Sequence, residues 1–290
     1  MLTDKSDDDA YVFWHAAPSK DSRAAYGTLV GSWLRAGVIP RQGTPVEISR
    51  RTTGAAVQVK QHPPSPRAED VEKLFSEYAD AAITEVKAQA DLYLAGAVVR
   101  ARVHFEYLGE DELSPPRVDP RRDFMQGTLL LPQYWREKAK GYGDGDPGGA
   151  AALIEDALVV KYLKAIAEQT QPLAMFSGPE HDNVRWRFNE AELRGPRPPR
   201  LSELSRYATY LTPEQVAKIG VQHVQGLVRV FEWLHGQEPR LRPLCQLTTN
   251  GGAMISRWPG ALDKEPKFAA LLPEGDRESF NRLRAALTPG

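Results

Sequence analysis

The residue types that carry most enzymatic chemistry occur in this sequence, but they are not spaced for it. Six histidines are present, and no two are separated as in the HxH, HxxxH or HExxH patterns that bring two imidazoles to one metal ion. The dipeptide His181-Asp182 resembles half of a metal-hydrolase motif, yet a lone dipeptide of this kind is typical of an ordinary loop. Cys245 is the sole cysteine, which excludes an internal disulfide and a cysteine-cluster metal site. We therefore predict no metal and no cofactor.

Serine nucleophiles and phosphate-binding loops also lack the sequence motifs that usually hold them. A serine nucleophile is typically held on a strained turn of the form G-x-S-x-G, and Ser177-Gly178 lacks the first glycine of that pattern. The glycines at 141, 143 and 145 follow no strand pattern and open no βαβ unit, so they are not a dinucleotide fingerprint. The sequence thus predicts no catalytic residue and a protein that is not an enzyme. A hydrolase that uses His181 is an alternative with less support.

Composition places the chain among ordinary water-soluble proteins. Its 290 residues are 41% hydrophobic and 26% charged, and the net charge of −1 gives no strong field to attract nucleic acid or an anionic membrane. The acidic N-terminus lacks the basic and apolar regions of a secretory signal, and no apolar run approaches the roughly 20 residues of a membrane helix. We expect a cytoplasmic protein with no membrane partner.

The elements that would position any site are clearest around one apolar helix. The pattern predicts a helix from Ala150 to Glu168, with Asp146-Pro147 as its N-terminal cap. Its apolar residues cover most of the circumference, so it must be buried on nearly all sides. Pro172 ends it, and the apolar run from Leu173 to Phe176 is typical of a buried strand.

The first hundred residues favour a ferredoxin-like order of elements. The clearest strand is Val99 to Tyr107, in which apolar residues alternate with Arg100, Arg102, His104 and Glu106. Before it the pattern predicts a β-α-β-β-α series. Its members are a strand at 11–14, a helix from Ser19 to Ala36, a hairpin around 52–54 and a helix from Arg67 to Tyr93.

The second half carries sharper signals. Thr212 and Gln215 form a capping box, with Pro213 at the first position of a helix that is expected to continue to Leu234. Gly220 and Gly226 weaken this helix and allow a break between them. Further predicted elements are a strand at 184–188, a hairpin of 244–247 and 253–255 around Asn250-Gly251, and a helix from Arg277 to Leu287.

These elements predict an α+β fold, with mixed or antiparallel sheets packed with helices in two closely associated subdomains. The boundaries are a disordered acidic tail at 1–9, an N-terminal subdomain at 10–140, a Gly/Asp link at 141–149 and a C-terminal subdomain at 150–290.

The alternating strand also raises a second function class. Arg100, Arg102 and His104 share one face, and an open ferredoxin-like sheet can bind RNA through such a face. RNA platforms add stacking aromatic residues on neighbouring strands, and the strand of Val57 and Val59 has none. A nucleic-acid-binding module is therefore the alternative, and a solvated face is favoured.

Four segments together resemble the immunity proteins of bacterial polymorphic-toxin systems, specifically the immunity protein 52 family. They are Tyr11-Val12-Phe13-Trp14 followed by a helix, Gln171-Pro172-Leu173-Ala174-Met175-Phe176-Ser177, Arg206-Tyr207-Ala208-Thr209-Tyr210-Leu211-Thr212-Pro213, and Gly251-Gly252-Ala253-Met254-Ile255 ahead of a terminal helix. They lie mostly in the C-terminal half, and residues 38–95 match least well. The resemblance implies a non-enzymatic inhibitor that neutralises a cognate toxin by stoichiometric binding. The toxin would be a nuclease delivered by a secretion system such as the type VI system.

An inhibitor of a nuclease would present acidic residues beside apolar or aromatic anchors, because it opposes a phosphate-binding cleft. Two acidic groups fit this description and are our predicted partner-binding residues. They are Glu110, Asp111 and Glu112 after the clearest strand, and Glu180 and Asp182 with Trp186.

Overall fold

A computed structural model describes a little over half of the chain. The described residues are 10–16, 22–51, 58–64, 67, 69–70, 73, 82–94, 96–108, 124–130, 156–172, 174–179, 208–237, 244–256, 272 and 274–287. The predicted tail at 1–9, the link at 141–149, the cap at 146–147 and the strand at 184–188 all lie outside them.

Among the described residues, eleven strands form one sheet in which every pair is antiparallel. The strands are β1 (Ala10–Ala16), β2 (Ile39–Pro40), β3 (Val46–Arg51), β4 (Gln58–His62), β5 (Ala82–Leu94), β6 (Ala97–Leu108), β7 (Phe124–Leu130), β8 (Ala174–Pro179), β9 (Ala208–Leu211), β10 (Leu244–Leu247) and β11 (Ala253–Ser256). Their order across the sheet is β10-β11-β9-β8-β1-β7-β6-β5-β3-β4, and β2 pairs with β5.

Five helical elements accompany the sheet in the part of the chain that the structure describes. They are α1 (Ser22–Arg35), α2 (a π-helical turn at Leu158–Leu163 continued by an α-helix at Lys164–Thr170), α3 (Pro213–Ile219), α4 (Val221–Gln237) and α5 (Glu274–Leu287). The α+β class is thereby confirmed, and the sheet is antiparallel throughout. Among these helices none has the length and apolarity that crossing a membrane requires.

Several boundaries follow from the local signals that predict them. The capping box at Thr212 and Gln215 is formed, with Pro213 in the first turn of α3. Gly220 has a φ of +101° and separates α3 from α4, so the break lies at this glycine, and α4 continues through Gly226. The central helix ends at Thr170, with Gln171 in the left-handed conformation just before Pro172.

The helix predicted from Arg67 to Tyr93 is wrong over its second half, which is strand β5. Residues 69, 70 and 73 are helical, but from Ala82 the chain is extended. Val86, Ala90 and Leu92 are buried while the residues between them are more exposed, which is the period-two pattern of a strand. Alanine, lysine, glutamate and glutamine favour helices, and that propensity concealed the alternation. The partner strand β6 follows after a tight turn that contains Gly96, whose φ is +80°.

The ferredoxin-like arrangement is also wrong. It would pair β1 with strands of the same N-terminal segment, between residues 46 and 108. Instead β1 lies between β7 and β8, and Phe13 is in register with Gly127 on one side and Ser177 on the other. The sheet therefore runs without interruption through strands from both predicted subdomains. The link at 141–149 lies outside the described residues, and the two-subdomain division stays a prediction.

The two faces of the sheet have separate cores at the end formed by β9, β11 and β10. On one face Tyr210 and Met254 pack with residues of α1 and α2, which include Trp33 and Tyr162. On the other face Leu211 and Ile255 pack with α3, α4 and α5. All four residues of β9 and of β11 are buried for this reason. Along β5 only the first face is covered, because Lys87, Gln89 and Tyr93 are exposed.

Helix α2 is fixed to the sheet by a buried tyrosine. The Tyr162 ring stacks on Trp33 with its centroid 6.3 Å away. Its hydroxyl accepts the Tyr93 amide at 2.9 Å and lies 3.4 Å from the Tyr93 carbonyl. Burial raises the pKa of Tyr162, so the hydroxyl remains protonated and able to donate.

Candidate functional site

The hairpin of β10 and β11 forms one border of the sheet. The predicted turn at Asn250-Gly251 is confirmed, because β10 and β11 pair antiparallel on either side of it. The Gly251 amide donates to the Thr248 carbonyl at 3.1 Å, and the φ of +89° at Gly251 is the conformation that a three-residue hairpin loop requires. A Cβ on Gly252 would lie 2.6 Å from the Leu211 carbonyl oxygen, so this position also requires glycine.

Asn250 anchors the hairpin to its surroundings. Its Oδ1 accepts from the Thr248 hydroxyl at 2.6 Å, the Tyr210 hydroxyl at 3.2 Å and the Gly252 amide at 3.3 Å. Its Nδ2 donates to the Ala167 carbonyl of α2 at 3.2 Å. All the polar atoms of the side chain are thereby used, and the loop is fixed to both the sheet and the helix.

A carboxylate on α2 makes the second anchor. Glu168 Oε1 accepts the Thr249 amide at 2.8 Å and pairs with Lys164 Nζ at 2.9 Å. Burial raises the pKa of Glu168, but the Thr249 amide and Lys164 outweigh it, so the net pKa is lowered. The charge of Lys164 is consequently compensated within α2.

Strand β10 pairs with β11 on one edge, and its other edge is open among the described residues. The Thr248 amide donates to the Gly252 carbonyl at 2.9 Å, so Thr248 and Gly252 are a hydrogen-bonded pair of the antiparallel ladder. Alternation along that ladder directs the amide and carbonyl of Gln246 toward β11. The amides and carbonyls of Cys245 and Leu247 are then directed away from β11. No other strand of the described chain pairs with them.

A cavity of about 550 Å³ lies along this open edge, between β10 and the helices beside it. It is lined by Lys164 from α2, by Gln225, Val228, Phe231, Glu232 and His235 from α4, and by all four residues of β10. We call it the edge groove. Its floor offers unpaired backbone groups, and its α4 side combines apolar, acidic and imidazole side chains. A groove of this composition can bind an extended peptide.

The one thiol in the groove is not a reactive one. Cys245 is buried with the core on the α4 side of the sheet, and burial raises its pKa to about 12. A thiol that stays protonated at neutral pH is a poor nucleophile. Cys245 thus contributes its backbone to the groove and its side chain to packing.

The described residues do not include the predicted partner-binding side chains. Glu110, Asp111, Glu112, Glu180, Asp182 and Trp186 all lie outside them, as does His181. The strands that lead to the two acidic groups are described, and they end at opposite ends of the sheet. Leu108 is in register with Phe124, which is in register with Ala16, whereas Pro179 is in register with Tyr11 at the other end of β1.

The register of β6 places one acidic, one neutral and one basic residue beside the predicted basic face. Arg100 is in register with Asp91, Arg102 with Gln89 and His104 with Lys87. Asp91 reduces the local positive charge at the first arginine position, whereas Lys87 adds positive charge at the histidine position. Metal chemistry finds no support among the described residues, where no three His, Cys, Asp or Glu side chains lie close enough to hold an ion.

Comparisons of the chain with protein-family models, with curated proteins and with solved structures found no match.

The edge groove is the feature that the sequence patterns did not predict. The hairpin and the amphipathic α4 can both be predicted from the sequence, but neither shows that β10 is the last strand of the described sheet. One signal was available, because β10 carries no charged residue, whereas the other border strand of the described sheet, β4, carries Lys60. Lysine protects a strand edge from pairing, and no charged residue of β10 protects its edge in this way.

Proposed function

We propose that this chain is an immunity protein that neutralises a cognate secreted toxin by stoichiometric occlusion. The toxin is a nuclease, which acts on nucleic acid and exposes a basic cleft. The immunity protein acts by binding and needs no turnover of its own. The proposal starts from the resemblance to the immunity protein 52 family.

The observation that carries the proposal is the position of the four resembling segments in the sheet. Tyr11–Trp14 lie in β1, Ala174–Ser177 in β8, Ala208–Leu211 in β9 and Ala253–Ile255 in β11. These four strands are consecutive in the order β11-β9-β8-β1. Segments far apart in sequence therefore make one structural unit, as is expected when a resemblance follows a shared fold. The edge groove lies at the border of that unit, on β10.

The test is a titration of toxin activity. The candidate toxin is the product of the neighbouring gene, and its nuclease activity is measured with increasing amounts of the purified chain. Stoichiometric occlusion predicts a linear loss of activity that reaches completion at one chain per toxin. The same mixture should contain a single complex of matching mass in light scattering. Complete inactivation by a small fraction of an equivalent would reveal an enzyme and overturn the proposal, as would unchanged activity at excess.

Two matched variants locate the interface within that assay. One reverses the charges of Glu110, Asp111 and Glu112, and the other reverses those of Glu180 and Asp182. Because the described strands that precede the two groups end at opposite ends of the sheet, we expect one variant to slow association and the other to match the wild type. Equal and full protection by both variants, at wild-type expression, would remove both acidic groups from the interface.

A further inference from the structure

The open edge of β10 differs from an ordinary sheet border, because side chains of helices border it on both faces of the sheet. Helix α4 overhangs the face that carries Leu211 and Ile255, and Lys164 of α2 borders the other face. The α4 wall and the strand also match in length. Val228 to His235 rises about 10 Å along a helix, and Leu244 to Leu247 spans about 10 Å along a strand. A single extended segment would therefore fill the groove.

The hydrogen-bonding groups of this edge define what can bind there. Cys245 and Leu247 each present one amide and one carbonyl outward, so a segment of three residues satisfies all four groups by pairing as a strand. The residues of that segment opposite Cys245 and Leu247 place their side chains on the α4 side. The residue between them lies on the side of Gln246 and Lys164.

The charges of the groove define the chemistry of the segment. Lys164 is already paired with Glu168, whereas Glu232 forms no ion pair with a described residue and is exposed on the α4 wall. A basic side chain beside Glu232 and an apolar one beside Val228 and Phe231 would complement this wall. A second copy of the chain fits less well. Two-fold pairing of β10 would bring the Glu232 side chains of two α4 walls to one side of the sheet, where like charges repel.

We propose that β10 binds an extended segment of a different protein as an additional strand, with one lysine or arginine of that segment beside Glu232. This inference rests on the proposed function, for which it supplies the binding mode and the chemistry of the partner segment. A nuclease that binds phosphates carries basic segments of the kind the groove would accept. The sheet would then continue from one protein into the other.

The experiment selects ligands for the full chain from a phage-displayed library of random seven-residue peptides. We expect enriched peptides to carry a basic and an apolar residue two positions apart, as neighbours on one face of a strand. A synthetic peptide of the enriched sequence is then measured by fluorescence anisotropy. Glu232→Lys should weaken its binding about tenfold, by replacing attraction with repulsion, and Glu232→Gln should weaken it less.

The backbone role of the edge is tested by proline. Leu247→Pro removes one outward amide and no bond to β11, so the sheet should tolerate it, whereas binding should weaken about tenfold or more. Leu247→Ala is the matched control, because it removes the side chain and keeps the amide. Amide exchange in the wild type adds a readout that needs no variant. Bound peptide should slow exchange at Cys245 and Leu247, while Gln246 is slow with or without peptide.

Three results would overturn the proposal. They are a selection that enriches no peptide, a peptide that leaves the exchange at Cys245 and Leu247 unchanged, and a concentration-dependent dimer that Leu247→Pro dissociates. The last would make a second copy the occupant. Selected peptides together with no effect on toxin activity would retain the groove and overturn the proposed function. Toxin inhibition without selected peptides would retain the proposed function and overturn peptide binding to the edge groove.

Discussion

Removing the Asn250 side chain tests whether the hairpin that carries β10 depends on the anchor described above. In Asn250→Ala four hydrogen bonds are lost, three accepted by Oδ1 and one donated by Nδ2. A net value of about 0.5–1.5 kcal/mol for each bond gives a range of roughly 2–6 kcal/mol. The loop is partly exposed, so water replaces some partners, but Tyr210 is 2% exposed and its hydroxyl would lose its acceptor. We therefore expect the free energy of unfolding to fall by about 3 kcal/mol.

The assay is urea-induced unfolding at neutral pH, followed by both far-ultraviolet circular dichroism and tryptophan fluorescence. Asn250→Asp is the matched control, because it keeps the three acceptor contacts, loses the bond to the Ala167 carbonyl and adds a charge near Glu168. It should be destabilised, but by less than Asn250→Ala. A loss below about 1 kcal/mol in the alanine variant would refute the reasoning. Equal losses in the two variants would show that the acceptor contacts are not what stabilises the loop.

Three further predictions concern two buried ionisable groups and one partly exposed group, and they can be checked with the same unfolding measurements or simple chemistry. Tyr162→Phe leaves the Tyr93 amide without its acceptor and should cost about 1–3 kcal/mol of unfolding free energy; an unchanged midpoint would contradict this. Cys245 should react with a thiol reagent at neutral pH only after denaturant is added, because burial raises its pKa to about 12; rapid labelling of the native chain would show the thiol to be accessible. The lowered pKa of Glu168 stabilises the fold fully above its unfolded value of 4.5 and progressively less as pH falls through the folded value, so Glu168→Gln should flatten the acid-side loss of stability.

Local signals in the sequence predicted much of the fold. The capping box at Thr212, the turn at Asn250-Gly251 and the stop at Pro172 each depend on a few neighbouring residues, and each is present in the structure. The strand from Val99 to Tyr107 was predicted because its alternation is strict, and it is the core of β6. Where the local pattern is unambiguous, the tertiary structure has no reason to override it.

The wrong predictions concern segments whose structure depends on pairing with strands far along the chain. Residues 82–93 have the composition of a helix, and only their neighbours β3 and β6 explain why they are extended. The position of β1 between β7 and β8 has no local signature, because register and strand order depend on segments far along the chain. The edge groove was missed for the same reason, since the border of a sheet is a property of the whole strand order. The predicted partner-binding residues stay predictions, because they lie outside the described residues.

The central place of β1 has a consequence for how the chain is made. β1 precedes the other described strands in the chain, yet Phe13 can pair on one edge only after Gly127 has been made and on the other only after Ser177 has been made. Pairing between such distant segments slows folding, because a long loop must be closed before the contact stabilises anything. The nascent chain therefore carries an aromatic strand, Tyr11-Val12-Phe13-Trp14, with both edges open until β7 has been made. The described sheet can therefore be completed only after β11 has been translated.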